Sequence, residues 1–94
     1  MGNLSMHSTV LQAKNQVSCD LAGEATILSV KTGTYYGLDP VGARIWTLIQ
    51  LPRTLQDIRD TLVKEYDVDA VRCEADLLEI LQQLQDEGLI ETVD

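Results

Sequence analysis

The sequence has no phenylalanine and one tryptophan, so its core has to be built mainly from aliphatic side chains. Its uninterrupted apolar runs last only a few residues, where a membrane-spanning helix needs roughly 20. The first residues, MGNLSMHSTV, contain no apolar signal core, and the expected location is the cytoplasm. Met1-Gly2 is followed at position six by Met6, where a myristoylation start has Ser or Thr. The single histidine, His7, has no partner nearby in sequence. Cys19 and Cys73 lie far apart, no CxxC or HxxxH occurs, and without a secretory signal a disulfide is not expected. Each cysteine falls in an apolar pattern and reads as a buried thiol. Gly33 and Gly37 flank a strand pattern and open no helix, so there is no phosphate loop. These absences leave no catalytic, cofactor or metal residues to name, and the chain reads as a non-enzyme.

Basic residues are also scarce. Seven lysines and arginines stand against fifteen acids, a net charge of −8. Residues 1–51 carry three of each sign; residues 52–94 carry four bases and twelve acids. An acidic half repels phosphate backbones, which argues against nucleic acid as a partner, whereas a basic or neutral peptide is compatible. The commonplace reading is that the acids keep a small protein soluble.

What is present is enough for one small domain: 94 residues, 45% of them apolar. Residues 1–8 are polar and aperiodic and read as a flexible arm, with residues 9–94 as the domain. Thr9–Ala13 fits a short strand or an extended lead-in. Val17, Cys19 and Leu21 alternate with Ser18 and Asp20, the mark of a half-buried strand. Ala22-Gly23-Glu24 turns the chain into a β-rich stretch, Ala25–Lys31, with Leu28 and Val30 on one face. Thr32-Gly33 signals a hairpin turn, glycine supplying positive φ. Thr34–Leu38 is the third strand; Thr34, Tyr36 and Leu38 share a face and Tyr35 takes the other.

Asp39-Pro40 then starts a helix, Asp capping free N–H groups and Pro taking the first helical position. Val41, Ile45, Leu48 and Ile49 form its stripe, with Trp46 beside it. Thr54 caps a second helix, whose buried stripe is Leu55, Ile58, Leu62 and Tyr66. Asp69 caps a third, which runs to about Glu87 and stops at Gly88. Leu89–Val93 reads as a last extended segment.

On the third helix, at about 100° per residue with Leu77 at zero, Cys73, Leu77, Ile80, Leu81 and Leu84 fall within about 60° of zero. Arg72, Asp76, Glu79, Gln83, Asp86 and Glu87 fill a polar arc at about 180–280°. Val71, Glu74, Ala75, Leu78, Gln82 and Gln85 occupy the remaining arc at about 60–160°. Two readings fit this mixed arc equally: the wall of a peptide groove, or a wide core stripe under a neighbouring element. Tyr35 is either a partly covered sheet residue or an aromatic anchor beside that groove.

The order TGTYYGLDPVGARIW, DIRDTLVKEYDV, DLLEILQQLQDEGLI resembles the PqqD-like family, also called RiPP recognition elements, over about residues 17–91. The Tyr-Tyr strand and the Trp46 helix look most like the stand-alone recognition proteins of lasso-peptide biosynthesis. Other members more often have Asn at the position of Asp39, and Asp caps equally well. The resemblance implies an α+β fold, a three-stranded antiparallel sheet followed by three helices, similar to a winged helix-turn-helix. It implies binding of the leader region of a ribosomally made precursor peptide, added as a strand to Thr34, Tyr35, Tyr36, Gly37 and Leu38. On this expectation the groove wall is Val71, Glu74, Ala75, Leu78, Gln82 and Gln85. It also implies a leader peptidase and, in lasso systems, a cyclase as partners; from the charge and the short apolar runs neither nucleic acid nor membrane is expected. The alternatives are a peptide chaperone of pyrroloquinoline-quinone biosynthesis and a winged-helix transcription regulator, the latter disfavoured by the charge.

Overall fold

The computed structural model describes residues 4–14, 16–21 and 24–93. The strands are β1 (Thr9–Gln12), β2 (Gln16–Leu21), β3 (Glu24–Ser29), β4 (Tyr35–Leu38), β5 (Arg53–Thr54) and β6 (Ile90–Val93); the helices are α1 (Pro40–Leu48), α2 (Leu55–Glu65) and α3 (Ala70–Asp86). The expected turn at Ala22-Gly23 and the side chains of residues 17–25, Cys19 among them, lie outside the described residues.

β2, β3 and β4 form the expected antiparallel sheet in that order. The β3–β4 turn places Gly33 at φ +71°, and Gly33 N–H donates to the Ser29 carbonyl at 2.7 Å. The inward face of β3 is the one opposite Leu28 and Val30. Ile27 and Ser29 are buried, while Val30, beyond the strand end, is 60% exposed. The hydroxyl of the buried Ser29 accepts from the Thr32 N–H, so the turn gives this side chain a partner.

A second sheet was not anticipated. β1 lies between β5 and β6, antiparallel to both, with Val10 opposite Arg53 on one side and Thr92 on the other. The expected lead-in and last extended segment are therefore strands of one ladder, joined by a two-residue strand too short to leave a sequence period.

The helix ends are satisfied locally. The Asp39 carboxylate accepts from Gly42 N–H at 2.7 Å, Thr54 Oγ1 from Asp57 N–H and Asp69 from Arg72 N–H. At the start of α2 the Leu55 and Gln56 N–H groups donate to the carbonyls of Ser8 and Met6. Residues 4–8, expected as a loose arm, thus complete that cap, and Leu4 and Met6 pack against the core. α3 ends in a Schellman motif: Gly88 sits at φ +74°, its N–H donates to Gln85, and Leu89 N–H donates to the carbonyl of Leu84.

Ile27, Ile45, Trp46, Ile49, Leu55, Ile58, Leu77, Leu81 and Leu89 meet in one core. Trp46 is fully part of it rather than beside it, whereas Val41, expected in the stripe, is 42% exposed at the first turn of α1. Tyr66, expected in the α2 stripe, is half-buried. Arg44 of α1 grips both carboxylate oxygens of Glu65 on α2 at 2.8 and 2.6 Å. Among the described residues no helix is long and apolar enough to cross a membrane.

Two outcomes follow. Gly88→Ala forces an L-residue into the left-handed region and lowers unfolding stability by about 1 kcal/mol in urea titration. The hydrogen bond to Arg44 holds the Glu65 carboxyl below its usual range. The stability from this pair is present above the ordinary glutamate pKa and is lost as pH falls through the folded value. Arg44→Gln therefore flattens the acid side of a stability–pH curve measured by denaturant unfolding.

Candidate functional site

β4 has β3 on one side and no strand partner on the other among the described residues. Its register pairs Tyr36 with Ile27 and Leu38 with Ala25. Ser29 N–H donates to the Thr34 carbonyl at 2.9 Å, which makes 29–34 a hydrogen-bonded pair. In an antiparallel ladder such pairs alternate, so the main-chain groups of Thr34, Tyr36 and Leu38 point at β3. The N–H and C=O of Tyr35 and Gly37 point out of the open edge. Tyr36 and Leu38 direct their side chains inward and pack against the core. The Tyr35 ring stands on the other face, 70% exposed.

Beside this edge runs a trough of about 630 Å³, bounded by β4 and by Ile80, Gln83, Leu84, Asp86 and Glu87 of α3. Tyr36 Oη donates to Glu87 Oε2 at 2.6 Å, bridging the strand to the helix end. This hydrogen bond raises the phenol's pKa. At the other end of β4 the packing is closer: a Cβ placed on Gly42 would come within 3.3 Å of both Leu38 Cβ and Ile80 Cδ1. β4 and α3 therefore run in opposite directions across the trough, Leu38 meeting Ile80 and Tyr36 meeting Glu87. Asp39 and Ile80 also line an apolar cavity of about 380 Å³ among α1, the end of α2 and the first half of α3, bounded further by Val41, Ile45, Tyr66, Val68 and Leu77.

The side of α3 that faces β4 is not the mixed arc. Ile80, Gln83, Leu84 and Glu87 lie at about 240–340° on the helical wheel, across the core stripe from it. Glu74 accepts from Arg59 of α2 at 2.8 Å, and Gln85 donates to Thr92 Oγ1 of β6 at 2.9 Å. Leu78 is half-buried against the core, and Gln82 donates to Gln85 and Asp86. Ala75 is exposed, and Val71 is 73% exposed. Glu74 and Gln85 thus face α2 and β6, while Val71 and Ala75 face solvent. Of the expected strand residues, Tyr35–Leu38 form β4 and Thr34 precedes it, with the outward main-chain groups on Tyr35 and Gly37. The helical residues beside it were split in the sequence between the core stripe and the polar arc.

Nothing in the trough resembles an activated nucleophile. Cys73 lines the apolar cavity, buried, and desolvation followed by the nearby Asp76 carboxylate pushes its thiol pKa up, away from the reactive thiolate. His7 lies in the segment that caps α2, remote in sequence from the trough. Among the described residues no cluster of three metal-ligating side chains occurs.

The fold has close counterparts. TbiB1 in complex with the TbiA(beta) leader peptide is 37% identical, the match covering 86% of this chain and 94% of that one with a TM-score of 0.81. A lasso peptide synthetase B1 complexed with the leader peptide is 18% identical and shares the fold, over 87% of this chain and 96% of that one, with a TM-score of 0.78. No curated protein matches the sequence. The family model of coenzyme PQQ synthesis protein D (PqqD) matches residues 24–90, from the start of β3 to the start of β6. With most of its length so matched, the chain belongs to the PqqD family.

Proposed function

We propose that this protein binds the leader segment of a ribosomally made precursor peptide and presents it to processing enzymes, a leader peptidase and a cyclase, in lasso-type peptide biosynthesis. The observation that carries this reading is the open edge of β4 above the α3 trough. A leader added there gains main-chain hydrogen bonds from Tyr35 and Gly37, independent of its sequence, and side-chain contacts in the trough that depend on it. Ordering a flexible leader costs several kcal/mol, so affinity rests on a few apolar anchors over Ile80, Leu84 and the adjoining cavity. Holding the leader raises the effective concentration of its core segment at an enzyme bound nearby. The 37% identical relative in complex with a leader peptide supports leader binding; the Tyr-Tyr strand and the Trp46 helix favour the lasso setting over pyrroloquinoline-quinone biosynthesis, where the same groove would serve.

The test is calorimetric and NMR titration with the TbiA(beta) leader and with leaders of short precursors encoded beside this protein. The expected result is saturable binding that shifts the Tyr35 and Gly37 amides; binding that leaves both unmoved would sink the strand-addition reading. Gly37→Pro removes an outward N–H and keeps the β3–β4 ladder, so it should weaken leader binding about tenfold or more with thermal stability nearly unchanged. Ile80→Asp should weaken binding by a similar factor through the trough floor. Val71→Asp, on the far side of α3, should leave affinity within about twofold, whereas the mixed arc as groove wall requires a large loss.

A further inference from the structure

The trough carries carboxylates without cations of their own. Asp39, Asp76, Asp86 and Glu87 line it and its adjoining cavity, against one base, Arg72, at the cavity end. Among the described residues none of these four acids is in an ion pair; Arg44 and Arg59 pair instead with Glu65, Asp60 and Glu74 outside the trough. The site itself rests on the open strand edge and the cavity, and the carboxylates bear only on what occupies it.

Strand geometry turns this into a sequence pattern. A strand added to the Tyr35–Gly37 edge places the residue opposite Leu38 and the residue opposite Tyr36 on the face that looks at α3. Antiparallel pairing is the more stable per residue, and an antiparallel strand meets Leu38 first and Tyr36 two residues later. The first of these side chains stands over Ile80 and the mouth of the apolar cavity. The second stands over the C-terminal end of α3, beside Glu87. The Glu87 carboxylate accepts the Tyr36 phenol, which fills one of about four acceptor positions, so an incoming cation joins this bond without breaking it.

We propose that the bound segment carries a large apolar side chain opposite Leu38 and, two residues further toward its C-terminus, a lysine or arginine that pairs with Glu87. This rests on the strand-addition reading and names the peptide chemistry that the site selects.

Selection of short random peptides by mRNA display on the intact protein, followed by amide-shift mapping of the winners, tests both levels separately. The expected winners share an apolar residue followed at the second position by Lys or Arg, and they shift Tyr35 and Gly37. Replacing that cation with Gln weakens binding about fivefold, and less at high salt. In Glu87→Gln the cation preference disappears and the apolar preference stays; in Glu87→Lys it inverts to Asp or Glu. Winners that shift β4 but show no charge preference, or the same preference in Glu87→Gln, overturn the Glu87 pairing. A cation two residues before the anchor overturns the antiparallel order. Winners that leave β4 unshifted, or no winners, overturn the strand-addition reading itself.

Discussion

Everything about the site depends on how the chain leaves β4. Asp39 ends the strand, its carboxylate caps the Gly42 N–H, and Pro40 commits the backbone to the first turn of α1. No hairpin can follow, so β4 is never covered by the next strand in sequence. Gly42 then lets α1 pass close to Leu38 and Ile80, where a side chain would crowd both at 3.3 Å. This junction fixes three elements at once, the strand edge, the start of α1 and the middle of α3. The Tyr36–Glu87 bond at the other end of β4 sets the remaining width of the trough.

α3 is the element on which these relations are read. Its buried stripe, Cys73, Leu77, Leu81 and Leu84, enters the common core. One flank is held by α2 through Arg59–Glu74 and by β6 through Gln85–Thr92. The other flank lies against β4, which is four residues long, and through Ile80 against Gly42 of α1. The trough is what remains where a four-residue strand is too short to cover this flank of a seventeen-residue helix.

Local chemistry was legible in the sequence and relative placement was not. Asp39-Pro40, Thr54, Asp69 and Gly88 announce helix ends because each solves a backbone problem within a few residues. The Thr32-Gly33 turn and the Tyr36/Leu38 face follow from positive φ and a period of two. The β1–β5–β6 ladder left no mark, since its partners are distant in sequence and β5 has two residues. Which face of β3 turns inward was not legible, because buried Ser29 is polar and Val30 is apolar and exposed, which inverts the pattern locally. The side of α3 that lies beside β4 was hidden for a related reason. A helical wheel gives the width of the core stripe, but which flank meets the strand depends on the direction in which the chain crosses. Ile80 at the edge of the stripe and Glu87 in the polar arc look ordinary until Leu38 and Tyr36 are set against them.

An exposed strand edge invites a second copy of the same chain as readily as a peptide. Several features of this protein weigh against the former. β4 is short, Gly37 offers no side chain to an incoming strand, and Pro40 stops the ladder two residues after it. The acids around the trough would face the same acids of a symmetric partner, and like charges brought together across an interface are costly. The net charge of −8 extends that repulsion beyond contact distance. A basic or neutral peptide meets no such barrier. The acidic C-terminal half, which in the sequence alone is explained well enough by solubility, therefore has a second physical consequence. It keeps the edge open to a peptide of opposite charge while discouraging the chain from pairing with itself.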